Sequence, residues 1–124
     1  MKYLGVDFGL KRVGLAISEG ELASAYKVIE GTSFSDLLEK IKKEAIGFDK
    51  VVIGLPEGRI GKLVKKAIKK LKESGIEVAE ADETLSTQNA TREMIELNIP
   101  KRKRKVNDAY AAAGILQNYL DEKV

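Results

Sequence analysis

The sequence has no cysteine, no histidine and no tryptophan, and only two prolines in 124 residues. Without cysteine there is no disulfide, thiolate metal site or cysteine nucleophile. Without histidine the usual general base at neutral pH is missing, as is every imidazole metal site. A bound metal must then be held by oxygen ligands, which suits hard ions such as Mg2+ or Mn2+. No stretch approaches 18 apolar residues, so no membrane span or membrane partner is expected. Asp7, Lys11 and Arg12 interrupt the first twenty residues, which argues against a signal peptide and leaves the cytoplasm as the expected location. Four tyrosines and three phenylalanines are too few for a broad base-stacking platform. Tyr110 and Tyr119 are expected to pack the last helix, and Phe8 to join the core or sit as a wedge beside a site.

What is present is ordinary for a globular domain: 44% hydrophobic and 33% charged residues, with a formal charge of +3. The length fits one domain, residues 1–124, with a modest core. Plentiful Lys and Glu with few Gln and Asn lean toward a thermophile.

Residues 2–8, 12–18 and 23–29 read as strands joined by short glycine-containing turns, an antiparallel meander. Phe34, Leu37, Leu38, Ile41 and Ala45 then recur at helical spacing across 33–46, with Ser33 and Asp36 placed to cap the helix. VVIGLP, 51–56, is a continuous apolar strand suited to burial on both faces. A helix over 61–73, stopped by Gly75, leads to a fifth strand at 76–81. A third helix is expected at 86–97. Pro100 and the run KRKRK are expected to form a loop, and 107–120 the final helix. The strand-helix-strand crossover demands parallel pairing. The expected fold is therefore α/β, a mixed five-stranded sheet whose first three strands are antiparallel, with helices on both faces. A doubly wound dinucleotide fold is excluded because no GxGxxG follows the first strand.

Three carboxylates stand out. Asp7 lies between apolar neighbours in the first strand, Glu83 follows the fifth, and Asp108 opens the last helix. A central first strand with a helix laid across it could bring them together. Converging carboxylates repel unless a divalent cation joins them, and two such ions suit phosphodiester hydrolysis without histidine. Each also has an ordinary reading: a turn aspartate, a solvated loop glutamate, a side chain complementing a helix dipole.

The segments VDFGLKRVGLAIS, VVIGLP, DETLST and DAYAAAGILQNYL, in that order and over essentially the whole chain, resemble the YqgF/RuvX family. That family is related to the RuvC Holliday junction resolvases and has an RNase H-like fold. The resemblance implies a metal-dependent nuclease with Asp7, Glu83 and Asp108 as catalytic and metal-binding residues. Its implied partner is structured RNA or branched DNA, as precursor 16S rRNA or a four-way junction, and its implied state a monomer or weak homodimer. Two features depart from the family pattern. Thr84 stands where arginine usually follows the middle acidic residue, and the loop after Pro56 is short. Arg59 and Arg92 are candidate substitutes for the missing phosphate contact.

Lys101, Arg102, Lys103, Arg104 and Lys105 form five consecutive cations before Asp108, a candidate phosphate-binding rim or a solvated loop. Lys11 and Arg12 are further candidates in the first hairpin. Lys65, Lys66, Lys69, Lys70 and Lys72 are expected on the solvent face of the second helix. Two other functions remain open: a non-catalytic RNA-binding assembly factor, favoured by Thr84 and the short loop, and a nucleotide-binding lobe, because GVDFG also resembles the first phosphate loop of the actin and sugar-kinase superfamily.

Overall fold

The computed structural model describes residues 1–9, 11–55, 59–82 and 101–122. The elements run β1 (Tyr3–Phe8), β2 (Arg12–Ser18), β3 (Ser24–Glu30), α1 (Phe34–Glu44), β4 (Lys50–Leu55), α2 (Arg59–Glu73), β5 (Val78–Asp82) and α3 (Lys101–Glu122). The expected helix at 86–97 lies outside the described residues.

The five strands form one sheet in the order β3-β2-β1-β4-β5. β1–β2 and β2–β3 are antiparallel, while β1–β4 and β4–β5 are parallel. The mixed sheet expected from the connection lengths is therefore the one observed. Short turns can only reverse the chain, whereas α1 and α2 are long enough to carry it back for parallel pairing. A register shift at Leu15/Ala16 leaves Tyr26 as an extra residue in edge strand β3.

Each sheet face has its own core. Leu4, Val6, Phe8, Val13, Leu15, Val51 and Ile53 face α1 and α2, where Leu37, Ile41, Val64, Ala67, Ile68 and Leu71 close the layer. Tyr3, Ala16 and Val52 face α3 through Ala112, Ile115, Leu116 and Leu120. Alternate residues of β1 thus enter different cores, the period-two rule applied to a strand covered on both sides. Phe8 packs with Phe34 at 5.7 Å between ring centroids, so it belongs to the α1 core.

Local signals account for the helix limits. The Ser33 side chain accepts the Asp36 N–H, and the Asp36 carboxylate accepts the Thr32 N–H at 3.0 Å. Gly75, at φ 87°, ends the α2 layer in a left-handed conformation that favours glycine. The last helix departs from expectation. α3 begins at Lys101, not 107, so the basic run forms its first turns instead of a loop. Lysine and arginine are good helix formers, and a proline directly before a helix is a start signal. Asp108 accordingly lies two turns inside α3, and a role in complementing the dipole at the helix start is removed. Tyr110 is also corrected: it is 59% exposed and does not pack the helix. Tyr119 does pack, edge-on to Tyr3 at 6.1 Å. No helix among the described residues is long and apolar enough to cross a membrane.

Candidate active site

The site is built where α3 crosses β1. Gly5 is the closest point. A Cβ placed on it would lie 2.8 Å from the Leu116 Cβ and 3.1 Å from the Ala112 carbonyl oxygen. Only a residue without a side chain lets the helix backbone approach this strand so closely. Gly5 lies on the same strand face as Tyr3 and Asp7, the face that α3 covers.

The direction of the crossing follows from two contacts. Tyr3 meets Tyr119, and Gly5 meets Leu116 and Ala112. Moving forward along β1 therefore moves backward along α3. From Gly5 to Asp7 is two residues of strand, roughly 6.7 Å. From Ala112 to Asp108 is four residues of helix, roughly 6 Å, on one stripe. Positions 108, 112, 116 and 120 share that stripe, of which Ala112, Leu116 and Leu120 are buried against the sheet. The backbone thus places position 108 at the level of Asp7.

Asp7 itself is half-buried, sits in the central strand and pairs in register with Gly14 of β2. A carboxylate there is costly to desolvate unless it is engaged, which ties it to a partner or a ligand. The parallel strands β1, β4 and β5 end at one edge of the sheet, at Phe8, Leu55 and Asp82. Ligands of open α/β sheets bind beyond such carboxyl ends. β5 lies two strand spacings from β1, roughly 10 Å. Glu83 is the next residue after β5 and lies outside the described residues, as does Arg92.

The basic candidates divide in the same way. Lys11 is exposed in the β1–β2 turn, and its carbonyl accepts the Gly31 N–H at 3.2 Å. Arg12 opens β2, half-buried, opposite Glu30 in the β2–β3 register. Arg59 is the first residue of α2, on a different helix from Asp108. Lys101, Arg102, Lys103, Arg104 and Lys105 occupy the first five positions of α3, directly upstream of Asp108. The run stands at the positive end of the helix dipole with no acidic residue in the first turn, an unfavourable placement in the absence of an anion.

Two contributors were not anticipated. Gly5 sets the depth of the crossing; an isolated glycine within a strand pattern is the signal that marks such an approach. Gln117 ties α3 to the loop before β3, accepting the Ala23 N–H at 2.9 Å and donating to the Glu21 carbonyl at 2.8 Å.

The donor chemistry fits a hard divalent cation: the candidate ligands are carboxylates, and the chain has no thiolate or imidazole donor of the kind softer ions prefer. Among the described residues no group of three acidic side chains forms a metal cluster; of the three candidate ligands, Asp7 is the one whose side chain belongs to that set.

The RuvX family model, described as a Holliday junction resolvase, matches residues 1–122. The chain belongs to the RuvX family. Curated relatives named as candidate pre-16S rRNA nucleases align along nearly all of it. That of Endomicrobium trichonymphae is 39% identical over 133 positions, covering 97% of this chain and 95% of its own. That of Carboxydothermus hydrogenoformans is 41% identical over 135 positions, covering 99% and 98%. Among solved structures, the fowlpox virus resolvase bound to Holliday junction DNA superposes with a TM-score of 0.66 at 13% identity, covering 100% of this chain and 99% of that one. Thermus thermophilus RuvC with its junction substrate gives 0.56 at 17% identity, covering 99% and 96%. These structures share the RNase H-like fold with this RuvX chain.

Proposed function

We propose that this RuvX protein is a cytoplasmic, metal-dependent nuclease that hydrolyses phosphodiester bonds of structured RNA, in 5′-end processing of precursor 16S rRNA. In this reading Asp7, Glu83 and Asp108 are the catalytic and metal-binding residues of a single nuclease domain. The observation that carries it is the α3 crossing: Gly5 lets Ala112 and Leu116 down onto β1, and the matched steps along strand and helix bring position 108 level with Asp7. The names of the curated relatives favour precursor rRNA as substrate.

Bound Mg2+ or Mn2+ would supply an activated water and charge stabilisation at the departing oxygen. The protein's part is geometric and electrostatic. Asp7 is held near the end of the central strand, in register with Gly14 of β2, which limits the freedom of its backbone to retreat. Asp108 rides on a helix locked by Ile115, Leu116 and Leu120. The basic run Lys101–Lys105 at the start of α3 attracts the phosphate backbone toward the carboxylates, and Lys11 and Arg12 extend the positive rim from the first hairpin.

The test is cleavage of precursor 16S rRNA by purified protein with Mg2+ or Mn2+, beside Asp7→Asn. Cleavage by the wild type and its loss in a folded Asp7→Asn protein is the expected result. Intact precursor alongside cut four-way DNA junctions would move the activity to branched DNA, the substrate seen with the fowlpox and Thermus proteins. Equal RNA affinity with no cleavage under any metal would make the protein a binding factor.

A further inference from the structure

α1 and α2 pack side by side on one sheet face, yet they treat their charges differently. On α1 lysines are interspersed with acids and two of the three are paired: Lys40 with Asp36 at 3.2 Å, and Lys42 with Glu39 at 3.3 Å. On α2 the exposed residues between 62 and 72 are Lys62, Lys65, Lys66, Lys69, Lys70 and Lys72. None of the six has a carboxylate partner among the described residues. Like charges at i+3 and i+4 each disfavour a helix by about 0.2–0.5 kcal/mol. Burial of Val64, Ala67, Ile68 and Leu71 holds α2 in place despite that repulsion. A face serving only solubility has no need of such one-sided charge, as α1 demonstrates.

We propose that the lysine face of α2 is a second docking surface, for the phosphate backbone of double-stranded RNA, and that it holds a helical segment of the substrate away from the bond being cut. The inference rests on the RNA-processing reading above. Lys62, Lys65, Lys69 and Lys72 follow the spacing i, i+3, i+7, i+10 and so form one flank, roughly 15 Å long. Three of them line a shallow groove of about 530 Å³ with Ile68, and Glu73 and Glu80 border it. Glu73 and Glu80 line the same groove and disfavour an anion inside it, which leaves the lysine ridge as the contact. The exposed positions 62–73 of α2 carry no aromatic or amide side chain that could read a base, so contact is with phosphates. Recognition of RNA duplexes through phosphates and shape has this character. α2 covers the sheet face opposite to Asp7, so its RNA segment does not compete for the cleavage site. The two contacts would act together by raising effective concentration.

The test is fluorescence-anisotropy titration of a blunt 20-base-pair RNA duplex in chelator, between 50 and 250 mM salt. The triple variant Lys65→Gln/Lys69→Gln/Lys72→Gln is expected to bind roughly tenfold or more weakly, with the salt slope reduced by about 2–3. The matching Lys→Arg triple should retain affinity, and the α1 triple Lys40→Gln/Lys42→Gln/Lys43→Gln should bind like wild type. Unchanged affinity and slope in the α2 triple would overturn the proposal. So would equal losses in the α1 and α2 triples, or α2-dependent binding to phosphatidylglycerol vesicles without duplex binding. No cleavage is involved, so a protein that binds the duplex but leaves precursor rRNA uncut would overturn the nuclease reading and uphold the duplex-docking surface without its role beside a cleaved bond.

Discussion

Gly5→Ala is the most informative single substitution. In a strand with room for a methyl group, replacing glycine by alanine stabilises by about 0.4–1 kcal/mol through the unfolded chain. At Gly5 the new Cβ would meet the Leu116 Cβ at 2.8 Å and the Ala112 oxygen at 3.1 Å. Carbon atoms rest at about 3.5–4.0 Å, so α3 would have to retreat by roughly 1 Å. Both obstacles belong to the helix itself, so no rotamer change relieves them. Overpacking of this kind costs about 1–3 kcal/mol, which reverses the usual sign. Position 108 lies one turn from the clash and would move with the helix. A misplacement of about 1 Å can cost roughly a hundredfold in rate. The assay pairs urea unfolding with cleavage of a substrate already shown to be cut. The expected outcome is a lower midpoint with unchanged slope, and a rate loss larger than the unfolded fraction explains. Leu116→Ala should not rescue the variant, because it retains the Cβ that clashes. A Gly5→Ala protein as stable and active as wild type would refute the account of the α3 crossing as the device that sets the site.

The other predictions are simpler. Replacing Lys101 through Lys105 by glutamine should weaken nucleic-acid binding and flatten its salt dependence, while thermal stability holds or rises, since cations leave the positive end of α3; a parallel loss of both would make the run structural. Glu83→Gln and Asp108→Asn should each abolish most cleavage, and the double variant should be little worse than either, because ligands of a shared metal act as a unit; additive, modest losses over a manganese titration would assign them independent roles. Ser33→Ala should cost about 1 kcal/mol in urea unfolding by removing the acceptor for the Asp36 N–H. The Thr32 N–H, and after it Lys40, hold the Asp36 carboxyl below its ordinary range. A carboxyl lowered in the folded state adds stability above its unfolded range and loses it as pH falls through the folded one. Asp36→Asn should therefore narrow its stability gap to wild type in acid, which unfolding midpoints across pH would check.

Much of the architecture is legible in the sequence because its causes are local. Period-two and period-3.6 patterns, Ser33 ahead of Asp36, and Gly75 after Leu71 each act within a few residues, and the mixed type of the sheet follows from connection length. The absence of cysteine and histidine likewise limits the candidate ligands to oxygen donors before any folding is considered. The start of α3 was missed because a run of five cations carries no apolar periodicity, although each residue favours a helix. Three further features exist only in the tertiary structure. Position 108 comes level with Asp7 because two elements a hundred residues apart cross antiparallel. Gly5 has no side chain to form a pattern, and its meaning appears only when Ala112 and Leu116 press against it. The solvent-facing set of α2 lysines is legible in the sequence, but packing of their apolar neighbours decides which sheet face they lie over, the one that Asp7 does not share. Local free-energy preferences are written along the chain, whereas a site joins distant residues, and only burial in a common core brings those together.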